Sequence, residues 1–292
     1  MRREPAYPAG QRAGPRFDER ERRRAQRRRI AIWLGVTLLV VFVALGGVFI
    51  LKAVGKKKQP PLATYKVVIP EGFTLKQTAE RFEAATNGRI KASDFEAQAK
   101  AYYPYWFLKD SKSGSEGFLF PKTYEVTSNA TAAHAVDMML KQFGKETADL
   151  DWSRAGAYGI TPHQAVIIGS IIEREVRLPQ ERPIVASVIF NRLSKKMKLG
   201  ICATVEYSLG RWKPELTDED LLVDSPYNTY KIEGLPPGPI CSPGFESIRA
   251  ALYPDKTDYL YYILTSPAEG RHSFTADYEQ FAKWKAERNT NR

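Results

Sequence analysis

DSPYNTYKIEGLPPGPICSPG, residues 224–244, packs five prolines and three glycines into twenty-one positions. Proline lacks a backbone donor and fixes φ, while glycine supplies turn conformations, so neither a regular helix nor a central strand forms here. The stretch reads as a long, stiffened loop carrying Tyr227, Asn228, Thr229 and Tyr230 on its leading edge. Loops of this kind shape binding clefts; a rigid surface connector is the competing reading.

Upstream, Thr161-Pro162-His163-Gln164 is the clearest helix start in the chain. Thr161 caps, Pro162 takes the first helical position and Gln164 closes a capping box. The helix runs through QAVIIGSIIEREV and must stop before Pro179. It is apolar until Glu173-Arg174-Glu175, so carboxylates stand at the end of a buried element. Glu173 shares a face with Gly169 and Ser170, and these small residues leave room for a substrate to approach it. Glu175 points roughly opposite, alongside Ile171 and Ile172. The plainer alternative is that both glutamates pair with Arg174, Arg177 or Arg182 at the helix end.

Downstream elements are a helix over Glu181–Lys195, a strand over Tyr259–Thr265 and a closing helix over Asp277–Glu287 with Phe281 and Trp284 inward. Before the Thr161 start, a helix over Ala130–Gly144 presents Val136, Met139, Leu140 and Phe143 at helical spacing. Earlier still, Tyr65–Ile69 reads as a strand, Thr74 with Gln77 caps a helix through Phe82, Ser93 with Glu96 caps another to about Tyr103, and Lys122–Thr127 reads as a second strand. The β-α-α-β order over 64–127 resembles the LysM peptidoglycan-binding module, with a longer second half.

The amino terminus carries a different signal. Ile30–Leu51 is twenty-two residues without a charge, about 33 Å as a helix and enough to span a bilayer. Eleven arginines precede it and Lys52, Lys56, Lys57 and Lys58 follow, which orients the basic tail 1–29 to the cytoplasm and everything beyond the linker 52–63 outside. A cleaved signal peptide would have a shorter apolar core, so a retained anchor is expected at the cell membrane. The net charge of +11 resides entirely in these flanks, because Gln59–Arg292 holds 29 basic and 29 acidic residues. Overall charge therefore argues against nucleic acid as a partner.

Cys202 and Cys241 both fall in the outer part, where a disulfide or two free thiols are equally admissible. His134, His163 and His272 are scattered without ligand spacing, so no metal is expected, and nothing calls for an organic cofactor. No G-x-S-x-G or phosphate-binding glycine loop occurs. Tyr227, Asn228, Tyr230, Trp212 and Phe118 suit a carbohydrate, whose rings stack and whose hydroxyls bond amides, although the same residues fill ordinary cores.

EGFLFPKTY (116–124), GSIIEREV (169–176), IFNRL (189–193), DSPYNTY (224–230), GLPPGPI (234–240) and RHSF (271–274) together resemble the YceG/MltG family of endolytic murein transglycosylases, in order and spacing across most of residues 64–288. The resemblance implies an enzyme that cleaves the MurNAc–GlcNAc bond of peptidoglycan without water, leaving a 1,6-anhydro-MurNAc end and terminating strand elongation. It places the catalytic glutamate at Glu173 and draws substrate contacts from Glu116, Asn191, Ser225, Tyr227, Asn228, Thr229, Tyr230 and His272. Protonated Glu173 would donate to the glycosidic oxygen, and its carboxylate would then take the proton of the attacking C6 hydroxyl. The apolar helix and the roof-like loop would supply the desolvation that such an acid needs.

Two departures from the family pattern stand out. An Asp-Pro pair often precedes Thr-Val in the family, whereas this chain has Cys202-Ala203, which suggests that Cys202 and Cys241 are a disulfide or a close pair taking over a structural role. Lys122 stands where the FPDTY-like motif has an acid. Competing functions are a hydrolytic muramidase, with Glu116, Glu206 or Asp224 as second carboxylate, and a non-enzymatic wall-binding scaffold. Implied protein partners are peptidoglycan synthases and division or elongation proteins. The expected fold class is α+β: a single transmembrane helix, a LysM-like unit over 64–127, and a mixed α+β catalytic domain over 128–292 to whose cleft 116–125 contributes.

Overall fold

The computed structural model describes residues 19–54, 62–213 and 215–290. The first eighteen residues of the basic tail and residues 55–61 of the linker lie outside the described residues. The chain divides into two compact units, Met1–Pro61 and Leu62–Arg292. In the first, helix α1 (Glu19–Val54) contains a stretch, Arg22–Gly47, that is long and apolar enough to cross a membrane. The uncharged run is continuous with a helical arginine-rich segment, since Arg, Glu and Gln are good helix formers.

The second unit is a mixed helix-and-strand body. Strands β1 (Thr64–Val68) and β2 (Thr123–Thr127) pair antiparallel, with Val67 opposite Tyr124. Val67, Tyr124 and Val126 are buried, as the two-residue period of a half-buried pair requires. Between the strands lie α2 (Leu75–Ala85) and α3 (Ala92–Ala99). The Thr74–Gln77 capping box is present. The Ser93–Glu96 box is not: Lys91 occupies the cap position, and the Ala92 N–H is taken by Glu83 Oε2 at 3.0 Å from α2. Helix α3 also stops at Ala99 rather than near Tyr103, because the Ala99 carbonyl accepts the Ser115 N–H at 2.8 Å.

Helix α4 (Ala132–Glu146) buries Val136, Met139, Leu140 and Phe143 as its spacing predicts. Phe143 packs 5.1 Å from Phe118 and 4.7 Å from Phe107, joining α4 to the EGFLF segment. A short turn, α5 (Arg154–Ala157), precedes α6 (Pro162–Glu175), the central helix, which has the expected Thr161–Gln164 box and is fully buried from Ala165 to Ile172. Val176 then turns extended, and α7 (Arg182–Ser194) follows. Helices α8 (Cys202–Leu209), α9 (Asp218–Leu221) and α10 (Phe245–Leu252) frame the proline-rich segment, which contains neither helix nor strand.

The chain closes with an antiparallel pair, β3 (Tyr261–Ser266) and β4 (Arg271–Thr275), and α11 (Tyr278–Thr290). Strand β3 begins two residues later than Tyr259 because side chains of α7 occupy the preceding carbonyls. Asn191 Nδ2 donates to Tyr259 O at 2.9 Å and Arg192 Nε to Leu260 O at 2.6 Å. Phe281 of α11 stacks on Tyr261 at 5.2 Å.

Candidate active site

Helix α6 delivers Glu173 to the end of the proline-rich segment, whose last residues run between α6 and the Glu71–Phe73 turn. Ile240 N donates to Ser170 Oγ at 3.1 Å, and Cys241 Sγ donates to Ser170 O at 3.3 Å. Ser242 N donates to Phe73 O at 2.8 Å, and Gly72 N donates to Ser242 O at 2.9 Å. Gly244 N then donates to Glu173 Oε2 at 3.0 Å, and Ser247 Oγ of α10 donates to the same oxygen at 2.7 Å. Glu173 is thus held by the cap residue and first turn of α10, where unpaired N–H groups and the helix dipole stabilise negative charge.

Gly169 and Ser170 do not leave space for substrate, which corrects the expectation above. A Cβ on Gly169 would lie 3.2 Å from Ile248 Cα and 3.3 Å from Ser247 O, so this glycine lets the backbone of α10 close onto α6. Ser170 is fully buried beneath Ile240 and Cys241. The small residues therefore position the carboxyl's partners rather than its substrate. Glu173 Oε1 takes no hydrogen bond among the described residues; Arg182 Nη2 lies 3.9 Å away. The helix-end pairing considered from sequence survives only as this long contact, and 9% of the Glu173 side chain stays exposed.

Glu175 does face the other way. Its Oε2 accepts from Tyr262 Oη at 3.0 Å and its Oε1 from Ala203 N at 3.3 Å. Burial pushes its carboxyl up from the ordinary range, against those two hydrogen bonds.

Arg174, next to Glu173, borders a recess of about 370 Å³ between α2 and α8. Lys76, Gln77, Glu116, Glu206, Tyr207 and Trp212 also line it, and Trp212 is 65% exposed. Glu116 reaches the recess from below. It accepts the Leu75 N–H at 3.0 and 3.1 Å through its two oxygens, and Tyr207 Oη at 3.3 Å. Burial raises its pKa from the ordinary 4.5 to about 7 despite those bonds.

A raised carboxyl favours the folded state while protonated, so its contribution is complete below about pH 4.5 and lost as pH climbs through about 7. The loss is on the order of 3 kcal/mol at 1.36 kcal/mol per unit. Denaturant melts of Glu116→Gln should show the slope of stability over this interval flattened relative to the parent. An unchanged slope would mean that Glu116 titrates near its ordinary value.

A larger recess of about 1160 Å³ lies on the far side of α7, bordered by Tyr158, Phe190, Asn191 and Tyr259. Asn191 is the expected site residue there, and its amide is committed to the Thr257 and Tyr259 carbonyls at 2.9 Å each. Glu173 does not border this recess.

The DSPYNTY residues mostly hold their own loop. Asn228 and Thr229 are fully buried. Asn228 Nδ2 donates to Leu221 O and Val223 O, while Asn228 Oδ1 accepts Tyr230 N at 3.0 Å. Thr229 Oγ1 accepts Ile201 N at 2.9 Å, and Ser225 Oγ accepts Tyr227 N at 3.2 Å and Ser208 Oγ at 3.0 Å. The Tyr227 ring packs 4.8 Å from Tyr207, a recess residue. His272 is remote from the recess: its Nδ1 meets Glu181 Oε2 at 2.7 Å and its N donates to Glu181 Oε1 at 3.0 Å.

The expected cysteine pair is not formed. Both cysteines are free: Cys241 is buried against Ser170, whereas Cys202 is exposed with its Sγ 3.2 Å from Tyr230 Oη. Cys202 heads α8 and Cys241 lies against α6, so each thiol has its own neighbour and neither serves the other.

Sequence reasoning missed α10, Ser247 and Glu71 as parts of this site. The run Gly244-Phe245-Glu246-Ser247-Ile248-Arg249-Ala250-Ala251-Leu252 after the last proline carries a helical apolar pattern that would have revealed α10. Its contact with Glu173 has no local signature.

The class is now clear in outline: a mixed helix-and-strand protein with a glutamate set at the junction of a βααβ segment, a buried helix and a proline-rich wall. A family model described as the YceG-like family matches residues 49–287. Endolytic murein transglycosylases of Bacillus subtilis and Streptococcus pneumoniae (strain R6) are 35% and 32% identical over 218 and 233 residues, each match covering 70% of this chain. The chain spans 60% and 41% of the length of these two relatives. A crystal structure of a YceG-like protein from Listeria monocytogenes superposes with a TM-score of 0.66 at 35% identity, covering 78% of this chain and 77% of that one. The chain belongs to the YceG-like family.

Proposed function

We propose that this protein is a membrane-anchored endolytic transglycosylase that cleaves MurNAc–GlcNAc bonds in nascent peptidoglycan and leaves 1,6-anhydro-MurNAc ends. The observation that carries the reading is the Glu173 carboxyl, with Oε2 fixed by Gly244 N–H and Ser247 and Oε1 free of hydrogen bonds among the described residues. The names of the curated relatives support the substrate and the bond.

Glu173 donates a proton to the glycosidic oxygen through Oε1, and the C1–O bond breaks. The Gly244 N–H and Ser247 hydroxyl stabilise the carboxylate so formed. The same carboxylate takes the proton of the C6 hydroxyl as that oxygen attacks C1, so water is not consumed and the acid is regenerated. The recess beside Arg174 holds the adjoining sugars: Trp212 and Tyr207 offer ring faces, and Arg174 and Lys76 offer positive charge to lactyl or peptide carboxylates. Ser225, Tyr227, Asn228, Thr229, Tyr230, Asn191 and His272 serve this site through the shape of the walls.

The βααβ segment acts as a LysM-like glycan-binding element, and α1 is a single membrane span with its basic end in the cytoplasm. Peptidoglycan synthases and division or elongation proteins are the protein partners of this reading.

Mass analysis of products from uncrosslinked glycan, incubated with the Leu62–Arg292 unit, tests the reaction. Anhydro ends are expected. Reducing ends would instead indicate a hydrolytic muramidase, for which Glu116 and Glu206 stand at the same recess. Binding without any new ends would leave a wall-binding scaffold.

A further inference from the structure

Every partner of Glu173 described so far stabilises negative charge: a backbone N–H, a hydroxyl and, further off, a guanidinium. A proton donor needs an opposing influence. The turn between β1 and α2 provides one. A Cβ built on Gly244 would fall 2.0 Å from Glu71 Oε1 and 2.3 Å from Glu71 Cδ, so the Glu71 carboxyl lies directly over the Gly244 backbone. The N–H of that same residue is bonded to Glu173. Two carboxyls thus meet at one glycine, one from α6 and one from the βααβ segment.

The approach is enforced from both sides. Gly72, at φ +79°, sits 3.9 Å (from its would-be Cβ) from Glu173 Cγ and 3.6 Å from Arg174 Cδ, so the turn packs on the catalytic end of α6. The Gly72–Ser242 and Ser242–Phe73 hydrogen bonds lock the turn to the proline-rich wall.

We propose that Glu71 is a positioning residue for the cleavage reaction: its carboxyl stands beside Glu173 at Gly244, and its like charge keeps a proton within the pair at neutral pH. This rests on the reading of Glu173 as the acid. Partial burial first, and then the charge of Glu173, push the Glu71 carboxyl up; Arg182 pulls it down and Glu246 adds to the rise. The charged groups around it are therefore Glu173 and Arg174 of α6, Arg182 of α7 and Glu246 of α10. Glu71 itself remains exposed on its outer side, open to proton exchange with solvent.

Two variants test the pairing without depending on one another. Glu71→Gln removes the charge. Gly244→Ala displaces it, because the backbone at 244 (φ −73°, ψ 168°) accepts alanine and only the movable Glu71 side chain is in the way. In the full chain in detergent micelles, kcat on uncrosslinked glycan is measured across the pH range. Both variants should shift the alkaline limb of kcat about one unit downward and cut turnover at neutral pH about tenfold, with KM changed less than about twofold; Glu71→Asp should restore the limb. A uniform loss at every pH, or an unmoved limb, overturns the proposal.

A second readout needs no turnover. In carbon-13 carboxyl NMR, the Glu71 titration midpoint should fall by about one unit in Glu173→Gln. An unchanged midpoint overturns the pairing. A shifted midpoint in a protein that yields no anhydro ends would uphold the pairing and remove the transglycosylase reading instead.

Discussion

Glu173→Gln is expected to lower kcat for glycan cleavage by about 10²–10⁴-fold, the range that a positioned general acid contributes. The substitution is close to isosteric. A glutamine carbonyl can still accept the Gly244 N–H and the Ser247 hydroxyl, so the two hydrogen bonds that hold the side chain survive. Nothing is left buried and unpaired, and stability should change by less than about 1 kcal/mol. What disappears is the dissociable proton. Glycan affinity, set by the recess at Arg174 and Trp212, should be retained. Turnover by mass analysis and binding by sedimentation with sacculi separate the two effects. Continued production of anhydro ends at more than about a tenth of the parental rate would remove Glu173 from the chemistry.

The largest effect on stability should come from Gly117→Ala. Gly117 sits at φ +85°, where a side chain is strained. An added Cβ would lie 2.3 Å from Pro239 Cβ and 2.4 Å from Pro239 Cγ, and a proline ring has no rotamer by which to retreat. Glu116 on one side is tied to Leu75 N, and Phe118 on the other is fully buried, so the segment cannot slide away. Backbone strain of about 1–3 kcal/mol and overpacking of about 1–3 kcal/mol together give a loss of roughly 2–6 kcal/mol. That is a large share of the roughly 5–15 kcal/mol typical of a folded domain. Chemical denaturation should show it directly. A loss below about 1 kcal/mol would mean that the proline-rich wall yields easily, contrary to the stiffness read from its composition.

The two variants probe the two halves of one arrangement. Gly117 lets the proline-rich segment press against the EGFLF turn, and the far end of that segment carries Gly244 to Glu173. Composition announced the stiffness of this segment: five prolines leave few backbone donors and little freedom to lose. Local signals announced much else. Capping boxes at Thr74 and Thr161 formed as read, because cap chemistry depends on residues three apart in sequence. The box at Ser93 failed because Glu83, nine residues before Ala92, supplied the cap from another helix.

The roles of small residues were the least legible. Gly169 and Ser170 read as open space around Glu173, yet one admits the backbone of α10 and the other bonds Ile240 and Cys241. A glycine in a helix records only that something comes close; it does not say what. The cysteines show the same limit, since Cys202 and Cys241 are near enough in sequence to suggest a pair but face Tyr230 and Ser170 respectively.

By itself the sequence determined the membrane-length apolar run, the helix starts, the wall-forming loop and the glutamate at the end of an oily helix. All of these follow from composition and from spacings of a few residues. Tertiary structure alone decided which groups surround that glutamate. Glu71, Gly244, Ser247 and Arg182 come from four separate segments, and their convergence depends on how closely α10 and the β1–α2 turn pack against α6. Such long-range approach is set by the volume of every residue between, and leaves no periodic mark on the chain.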